Sequence, residues 1–347
     1  MTSPKGENFR AQIIDFNPRR MNTEEAAGIP TDLRPLVADK RQYPLHIGSL
    51  LPTDVAWYSP GHPWFFRDVL SNSRETDELN KANVLILTGS GMSAFQYQNI
   101  SFAEGPPGFE DTLLMITEQK VKDFMAQGKS VFANCFGGQL GVLALGGRIG
   151  RLPEVVPGTT TTEAGWLSQR LTEAGKRDPI FGNGNLPEQF YAPHFHNDYV
   201  AELPPVDLMI PTDSGRMFVV KSEVLAVRNG YLGKNGLEHP EQEFIMASVI
   251  EVDTGAVLYQ VQAHPEMSVR QYANFLVRQN PWLADEMGSE YYEQALTVPE
   301  EADFSAANII PNFIALARER YEASQKIMFS RAAIAQNLGA LYQHMIK

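Results

Sequence analysis

The predicted fold is decided by the stretch Ser130-Val-Phe-Ala-Asn134-Cys135-Phe-Gly-Gly-Gln139-Leu-Gly-Val-Leu-Ala-Leu-Gly-Gly147. Its first five residues are mostly apolar and predict a buried strand. The apolar run from Gln139 to Leu145 ends at two glycines, which predicts a short buried helix with a glycine stop. Cys135 is therefore expected on a tight turn between a strand and a helix.

A second junction of strand and glycine loop lies upstream. The predicted strand Asn83–Thr88 runs directly into Gly89-Ser-Gly-Met-Ser93. Between the two junctions, residues 111–127 have apolar side chains at helical spacing and are followed by Gly128. This order of strand, loop, helix, strand and turn predicts an α/β protein with a largely parallel sheet.

The rest of the chain extends this pattern. Short strands are predicted early in the chain and again between residues 208 and 263, where Asp253-Thr-Gly255 between two alternating runs suggests a hairpin. The later part is mostly helical, with helices predicted over 268–278, 307–323 and 330–345. We predict a mostly parallel central sheet flanked by helices over residues 11–275, followed by a helical C-terminal extension over 276–347.

Composition narrows the functional classes. The 347 residues are 43% apolar, which is ample for a buried core, and no apolar run approaches the roughly 20 residues of a membrane span. The formal charge of −12 repels phosphate backbones and anionic lipid, so nucleic acid and membrane are not expected as partners. The N-terminus has no apolar segment typical of a secretory signal, which predicts a cytoplasmic protein.

The chain has one cysteine, Cys135, so it forms no internal disulfide and no cysteine-rich zinc site. A cysteine on a strand-to-helix turn is a candidate nucleophile, because the N-terminus of the helix stabilises a thiolate. Gly137 and Gly138 supply the small neighbours that such a turn needs. The alternative is a buried structural cysteine, and the turn alone does not decide between the two.

A cysteine nucleophile requires a base, and His264 is the best candidate among the seven histidines. It follows an alternating run and precedes Pro265 and Glu266. In extended geometry His264 and Glu266 share a face, so the carboxylate can orient the imidazole. The alternative is a polar strand end before a helix, in which Glu266 favours the helix start.

Four blocks of the sequence, in order, resemble class I glutamine amidotransferases. Ala133-Asn-Cys135-Phe-Gly-Gly-Gln139 resembles their Gly-x-Cys-x-Gly-x-Gln, and Tyr259-Gln-Val-Gln-Ala-His264-Pro-Glu266 resembles Gly-Val-Gln-Phe-His-Pro-Glu. The segment from Phe195 to Pro205 is similar to their Ser-His-x-Asp segment and the Leu-Pro-Pro after it. The loop from Gly89 to Ser93 lies where the family has its oxyanion loop.

The sequence also departs from the family pattern. Asn134 stands where Ile is common, Ala133 replaces the leading Gly, and Gly138 occupies a position where His or Met is frequent. The oxyanion loop, Gly89-Ser-Gly-Met-Ser93, differs from the commoner Gly-Gly-Pro version but keeps small residues.

The resemblance implies a flavodoxin-like α/β glutaminase domain in which Cys135, His264 and Glu266 form a catalytic triad. The thiolate would attack a side-chain amide and form a γ-glutamyl thioester, with His264 as acid and base and Glu266 orienting it. It implies no cofactor and no metal. The oxyanion-hole and substrate-binding residues that it implies are Gly89, Ser90, Gly91, Phe136, Gln139, His196 and Asp198.

Three functions remain open on the sequence. The first is hydrolysis of glutamine, with ammonia passed to a separate synthetase subunit, since no P-loop motif occurs in the chain. The second is a stand-alone hydrolase of γ-glutamyl amides or peptides, which the departures around Cys135 favour. The third is a non-catalytic ligand-binding protein, against which the intact Cys135, His264 and Glu266 argue.

Overall fold

The computed structural model describes residues 11–14, 55–58, 82–89, 93–99, 109–153, 161–211, 217–233, 236–267, 269–279, 284 and 288–323. The predicted helix over 330–345 lies outside these residues, as do Ser90 and Gly91 of the predicted oxyanion loop. No helix of the described part is long and apolar enough to cross a membrane.

The described elements alternate between strand and helix in the first half of the chain and are richer in strands in the second. The strands are β1 Ala11–Ile14, β2 Val55–Tyr58, β3 Val84–Leu87, β4 Ser130–Asn134, β5 Arg148–Arg151, β6 Glu163–Leu171, β7 Gln189–His196, β8 Asp198–Glu202, β9 Met209–Pro211, β10 Met217–Gly233, β11 Gly236–Val252 and β12 Val257–Val261. The helices are α1 Ala94–Gln98, α2 Phe109–Ala126, α3 Phe136–Ala144, α4 Glu173–Arg177, α5 Val269–Asn274, which continues into a π-helical segment Phe275–Gln279, α6 Ser289–Leu296, a 3₁₀ turn Ser305–Asn308 and α7 over 309–323.

The strands form one curled central sheet in the order β2-β1-β3-β4-β12-β11-β10-β6-β7, with β5, β8 and β9 off this path. The five strands from β2 to β12 in that order are parallel to their neighbours. From β12 to β7 every pairing is antiparallel. The predicted α/β class and central sheet are confirmed, and an antiparallel half continues the parallel half.

The predicted hairpin at Asp253-Thr-Gly255 is confirmed, because β11 and β12 pair antiparallel on either side of it. The short strands predicted over 217–220, 224–228 and 247–252 are parts of two longer strands, β10 and β11. Bulges interrupt the pairing of these strands, and their residue pattern changes where the pairing shifts. Strands β6 and β7 were not predicted, since their alternation is broken by Gly165 and Pro193.

The two faces of the sheet carry separate apolar clusters. One contains α2 and α3 against Leu85, Leu87 and Val131. The other contains α7 against Phe132 and Tyr259, with the Phe313 ring centroid 5.4 Å from that of Phe132. The buried side of α7 is therefore part of the main core. The boundary between the predicted catalytic domain and C-terminal extension, at residue 275, stays a prediction.

The topology sets the position of the site. Strands β4 and β12 lie side by side and parallel, with Asn134 opposite Val261. Their carboxyl ends therefore meet at the same edge of the sheet, and the residues that follow them, Cys135 and His264, come from adjacent strands.

Candidate active site

Cys135 occupies a strained turn between β4 and α3. Its backbone has φ 48° and ψ −120°, a region that residues with a side chain rarely adopt. Its N–H donates to the carbonyl of Val261 at 2.7 Å, and its own carbonyl accepts from the Gln139 N–H at 3.0 Å in the first turn of α3. The turn thus holds the cysteine firmly at the N-terminus of a helix, as the sequence predicted.

Two glycines permit the close packing around this turn. A Cβ at Gly137 would lie 2.7 Å from the backbone of Leu87, so no larger residue fits without displacing β3. A Cβ at Gly89 would lie 2.6 Å from Cε1 of His264 and 3.4 Å from Cβ of Cys135. Gly89 therefore borders both predicted catalytic side chains, and a side chain at this position would collide with His264.

His264 and Glu266 form a buried hydrogen-bonded pair. Nδ1 of His264 lies 2.8 Å from Oε1 of Glu266, and both residues are less than a tenth exposed. The backbone N–H of His264 donates to the Pro193 carbonyl at 2.8 Å, which fixes the histidine to β7. Nε2 of His264 has no hydrogen-bond partner among the described residues. Because an ionised carboxylate only accepts, the Nδ1 proton faces Glu266 and Nε2 is left for another group.

The surroundings of His264 favour its charged form. Burial by itself would lower the pKa of His264, but the negative charges of Cys135 and Glu266 raise it well above its usual value. A protonated imidazole beside a thiolate is the ion pair that activates cysteine nucleophiles. The arrangement of these three side chains can therefore support nucleophilic attack on an amide.

The Cys135 sulfur has two further neighbours. It lies 3.5 Å from the carbonyl of Phe195 and 3.9 Å from Nε2 of Gln262. Oε1 of Gln262 accepts a hydrogen bond from Nε2 of Gln139 at 3.3 Å, and the same Nε2 donates to the Asp198 carbonyl at 2.7 Å. The predicted substrate contact Gln139 is thus tied, through this amide nitrogen, to the nucleophile and to β8.

The carboxylate of Asp198 is engaged inside the protein. Oδ1 accepts from Nε of Arg151 at 2.9 Å, and Oδ2 accepts from Oγ of Ser93 at 2.6 Å and from the Phe95 N–H at 3.2 Å. Ser93 is the N-cap of α1 and ends the predicted oxyanion loop. Asp198 therefore anchors the start of α1.

His196 also contacts protein groups. Its Nδ1 lies 3.1 Å from the Asp198 carbonyl, and its Nε2 lies 3.2 Å from Oε2 of Glu163. Glu163 also forms an ion pair with Arg228, whose Nη1 is 3.3 Å from Oε1. Burial alone would raise the pKa of Glu163, but Arg228 and His196 outweigh it and hold the pKa below its ordinary value. We refer to Glu163, His194, His196 and Arg228 as the buried charge cluster.

The remaining member of that cluster, His194, is uncharged. Burial, together with the positive charges of His196, Arg228 and His264, lowers the pKa of His194 well below its ordinary value. Its Nε2 lies 2.8 Å from Nε2 of Gln169. Of this cluster the sequence analysis singled out only His196. The others, Glu163, His194 and Arg228, come from three strands and no motif joins them.

Two other residues near the site were also missed as functional candidates. Gln262, beside the sulfur, belongs to an alternating strand and carried no separate signal. Asn134 donates from Nδ2 to Oε1 of Glu266 at 3.0 Å. The departure of Asn134 from the family pattern was the signal that a polar side chain faces the triad.

Phe136 is the first residue of α3 and is buried directly after the nucleophile. Its backbone N–H therefore comes from the helix turn on which Cys135 lies, where an oxyanion hole is expected. Among the described residues, no group of three His, Cys, Asp or Glu side chains is arranged to hold a metal ion.

Comparisons with known proteins bear on the fold. No protein-family model matches the sequence, and no match was found among curated proteins. A glutamine amidotransferase from Thermotoga maritima matches the structure with a TM-score of 0.51 at 11% identity, over 90% of this chain and 99% of that chain. A glutamine amidotransferase from Methylobacillus flagellatus has a TM-score of 0.44 at 14% identity, over 88% of this chain and 96% of that one.

The similarity to the Thermotoga maritima protein extends over most of both chains. The chain therefore has the fold of class I glutamine amidotransferases, as its motifs predicted.

Proposed function

We propose that this protein is a cysteine-dependent amide hydrolase that releases ammonia from glutamine or a related γ-glutamyl amide. The observation that carries the proposal is the combination of a cysteine at φ 48° on a strand-to-helix turn with a histidine held by a carboxylate at 2.8 Å. A structural cysteine has no need of a strained backbone, a helix N-terminus and an adjacent imidazole whose Nε2 makes no hydrogen bond to a described residue.

In the proposed reaction, the Cys135 thiolate attacks the carbonyl carbon and forms a C–S bond. The resulting oxyanion is stabilised by backbone N–H groups of the Gly89 loop and of Phe136. His264, protonated on Nε2, gives its proton to the leaving nitrogen as the C–N bond breaks, and ammonia departs.

The second half of the reaction hydrolyses the γ-glutamyl thioester. Neutral His264 removes a proton from water, the hydroxide adds to the thioester carbonyl, and the C–S bond breaks to release glutamate and the thiolate. Glu266 keeps the Nδ1 proton in place in both halves, so that Nε2 always faces the reacting atoms. Gln139, His196 and Asp198 are proposed to shape the pocket. Gln139 and His196 both contact the Asp198 carbonyl, and the Asp198 carboxylate contacts Ser93.

The proposal is tested by measuring ammonia and glutamate release from glutamine with the wild type and Cys135→Ala. We expect the variant to lose at least about 10³-fold in kcat, because the covalent route is removed. Lys176→Ala, which alters an exposed ion pair with Glu173, serves as a matched control and should keep full activity. Equal rates in the wild type and Cys135→Ala would contradict the proposal.

A stand-alone γ-glutamyl hydrolase is the second candidate, and the departures at Asn134 and Gly138 favour it. The same assay with γ-glutamyl anilide beside glutamine separates the two. Turnover of the anilide without turnover of glutamine would replace glutamine by a larger γ-glutamyl amide as the substrate.

We propose, on the sequence resemblance, that released ammonia passes to an acceptor on a separate synthetase chain in the cytoplasm. Co-purification of the full chain with a stoichiometric partner, and a rise in glutaminase kcat when that partner is added, would support this. Full glutaminase activity of the isolated chain, unchanged by any co-purifying protein, would contradict it.

A further inference from the structure

Asn134 is a buried polar residue that follows three apolar residues in its strand. It is the last residue of β4, directly before the nucleophile, and only 2% of its surface is exposed. A buried amide at such a position requires a hydrogen-bond partner, because leaving it unpaired costs free energy. Its partner is Glu266.

Asn134 and His264 bind the same oxygen atom. Nδ2 of Asn134 lies 3.0 Å from Oε1 of Glu266, and Nδ1 of His264 lies 2.8 Å from that same Oε1. The second oxygen, Oε2, is buried and makes no hydrogen bond to a described residue. The carboxylate is therefore held at one oxygen by two donors that are 3.5 Å apart.

The chemistry of the groups fixes the direction of both bonds. An ionised carboxylate is only an acceptor, so the amide nitrogen of Asn134, and not its oxygen, faces Glu266. A second donor on Oε1 withdraws electron density from the oxygen that receives the His264 proton. A carboxylate with an additional donor is a weaker proton acceptor, and it attracts the imidazole proton less.

We propose that Asn134 is a positioning residue of the active site, which shares Oε1 of Glu266 with His264 and so limits how strongly the carboxylate holds the imidazole proton. The inference rests on the proposed triad and deepens it. His264 must give a proton to the leaving nitrogen and then accept one from water, and both steps are fastest when its proton affinity is moderate.

The charged and titratable groups that act on this pair are few among the described residues. His264 faces Cys135 and Glu266, and its charge is felt at His194. Asn134 itself does not titrate. A change at Asn134 should therefore reach His264 through Glu266.

The test is an NMR titration of the His264 ring in the full chain, with the signal assigned by its absence in His264→Gln. In Asn134→Leu, which keeps a similar size but removes the donor, we expect the proton affinity of His264 to rise about tenfold. Asn134→Asp adds a negative charge and should raise it further. Ser248→Ala removes a different buried hydrogen bond, to Gln260, and should leave the titration unchanged.

A purely structural role for Asn134 would lower the thermal stability of Asn134→Leu without moving the His264 titration, and that result would overturn the inference. Kinetics give a second readout: kcat should fall about tenfold with KM unchanged to about twofold. Because the titration needs no substrate, its outcome does not depend on whether the proposed function is correct. Absence of ammonia release by the wild type contradicts the function, while an unchanged titration in both Asn134 variants contradicts the role of Asn134.

Discussion

Two buried histidines, His264 after β12 and His194 in β7, have pKa values that are shifted in opposite directions. Burial lowers the pKa of both. His264 nevertheless has a raised pKa, because Cys135 and Glu266 face it, whereas the pKa of His194 is lowered further by positive neighbours. The comparison teaches that neighbouring charges, and not depth in the protein, determine which histidine is suited to proton transfer.

The two carboxylates of these regions differ in the same way. Glu163 forms an ion pair with Arg228, lies 3.2 Å from Nε2 of His196, and accepts from the Leu232 N–H at 2.7 Å. Glu266 faces one imidazole and one amide, and its Oε2 makes no hydrogen bond to a described residue. We infer that Glu163 stabilises the folded protein, whereas Glu266 takes part in the proposed reaction by orienting His264.

The largest effect on stability is expected from Glu163→Gln. This change leaves the guanidinium of Arg228 buried without its counter-charge, which costs about 3–5 kcal/mol in the free energy of unfolding. Urea denaturation measures it, and Glu243→Gln, in an exposed ion pair with Arg170, should cost less than about 1 kcal/mol. Similar losses in the two variants would remove the distinction between the buried charge cluster and surface ion pairs.

Glu266→Gln should have its main effect on activity. The neutral amide no longer raises the pKa of His264, and the ion pair with Cys135 weakens. We expect kcat/KM for glutamine to fall about 10²-fold, or about 2.7 kcal/mol. Steady-state kinetics measure this, and a loss smaller than about threefold would mean that Glu266 is a structural residue like Glu163.

His194 makes the stability of the protein depend on acidity. Since its pKa is lowered in the folded state, the unfolded chain binds more protons below about pH 6.5, and stability is fully present above that pH and is lost as the pH falls. His194→Gln should flatten this acid decline by up to about 1.4 kcal/mol per pH unit. The pH dependence of stability is measured from the urea midpoints of the wild type and His194→Gln between pH 5 and 7.5. An equal decline of both midpoints with falling pH would contradict a lowered pKa of His194.

The smallest effect is expected at Asp198, which links the active site to β8. Asp198→Asn removes the charge that Arg151 faces but keeps an acceptor for Ser93, so it should cost about 1 kcal/mol of stability. Because Ser93 ends the Gly89 loop, kcat should fall a few-fold. Thermal unfolding and glutamine turnover measure the two effects, and a fall in kcat as large as that of Glu266→Gln would place Asp198 in the chemistry itself.

Local patterns made part of the site predictable from the sequence. The turn at Cys135 follows from a strand, two glycines and an apolar helix within eighteen residues, and the pairing of His264 with Glu266 follows from their spacing of two. Both signals depend on residues that are close in the chain.

Contacts between distant parts of the chain could not be predicted. Asn134 and Glu266 are 132 residues apart, and the partners of Asp198 come from α1 and β5. The antiparallel half of the sheet was only partly foreseen, because bulges in β10 and β11 interrupt their alternation. Register and burial in the folded protein decide these contacts, and neither is encoded in a short window of sequence.

The central claim is that Cys135 is the nucleophile toward a γ-glutamyl carbonyl. It is tested most directly by treating the full chain with a glutamine-mimicking diazo-ketone and mapping the modified peptide by mass spectrometry. The account predicts one covalent adduct, on Cys135, that excess glutamine prevents and that Glu266→Gln slows. An adduct on another residue, or one at Cys135 that glutamine does not prevent, would contradict it.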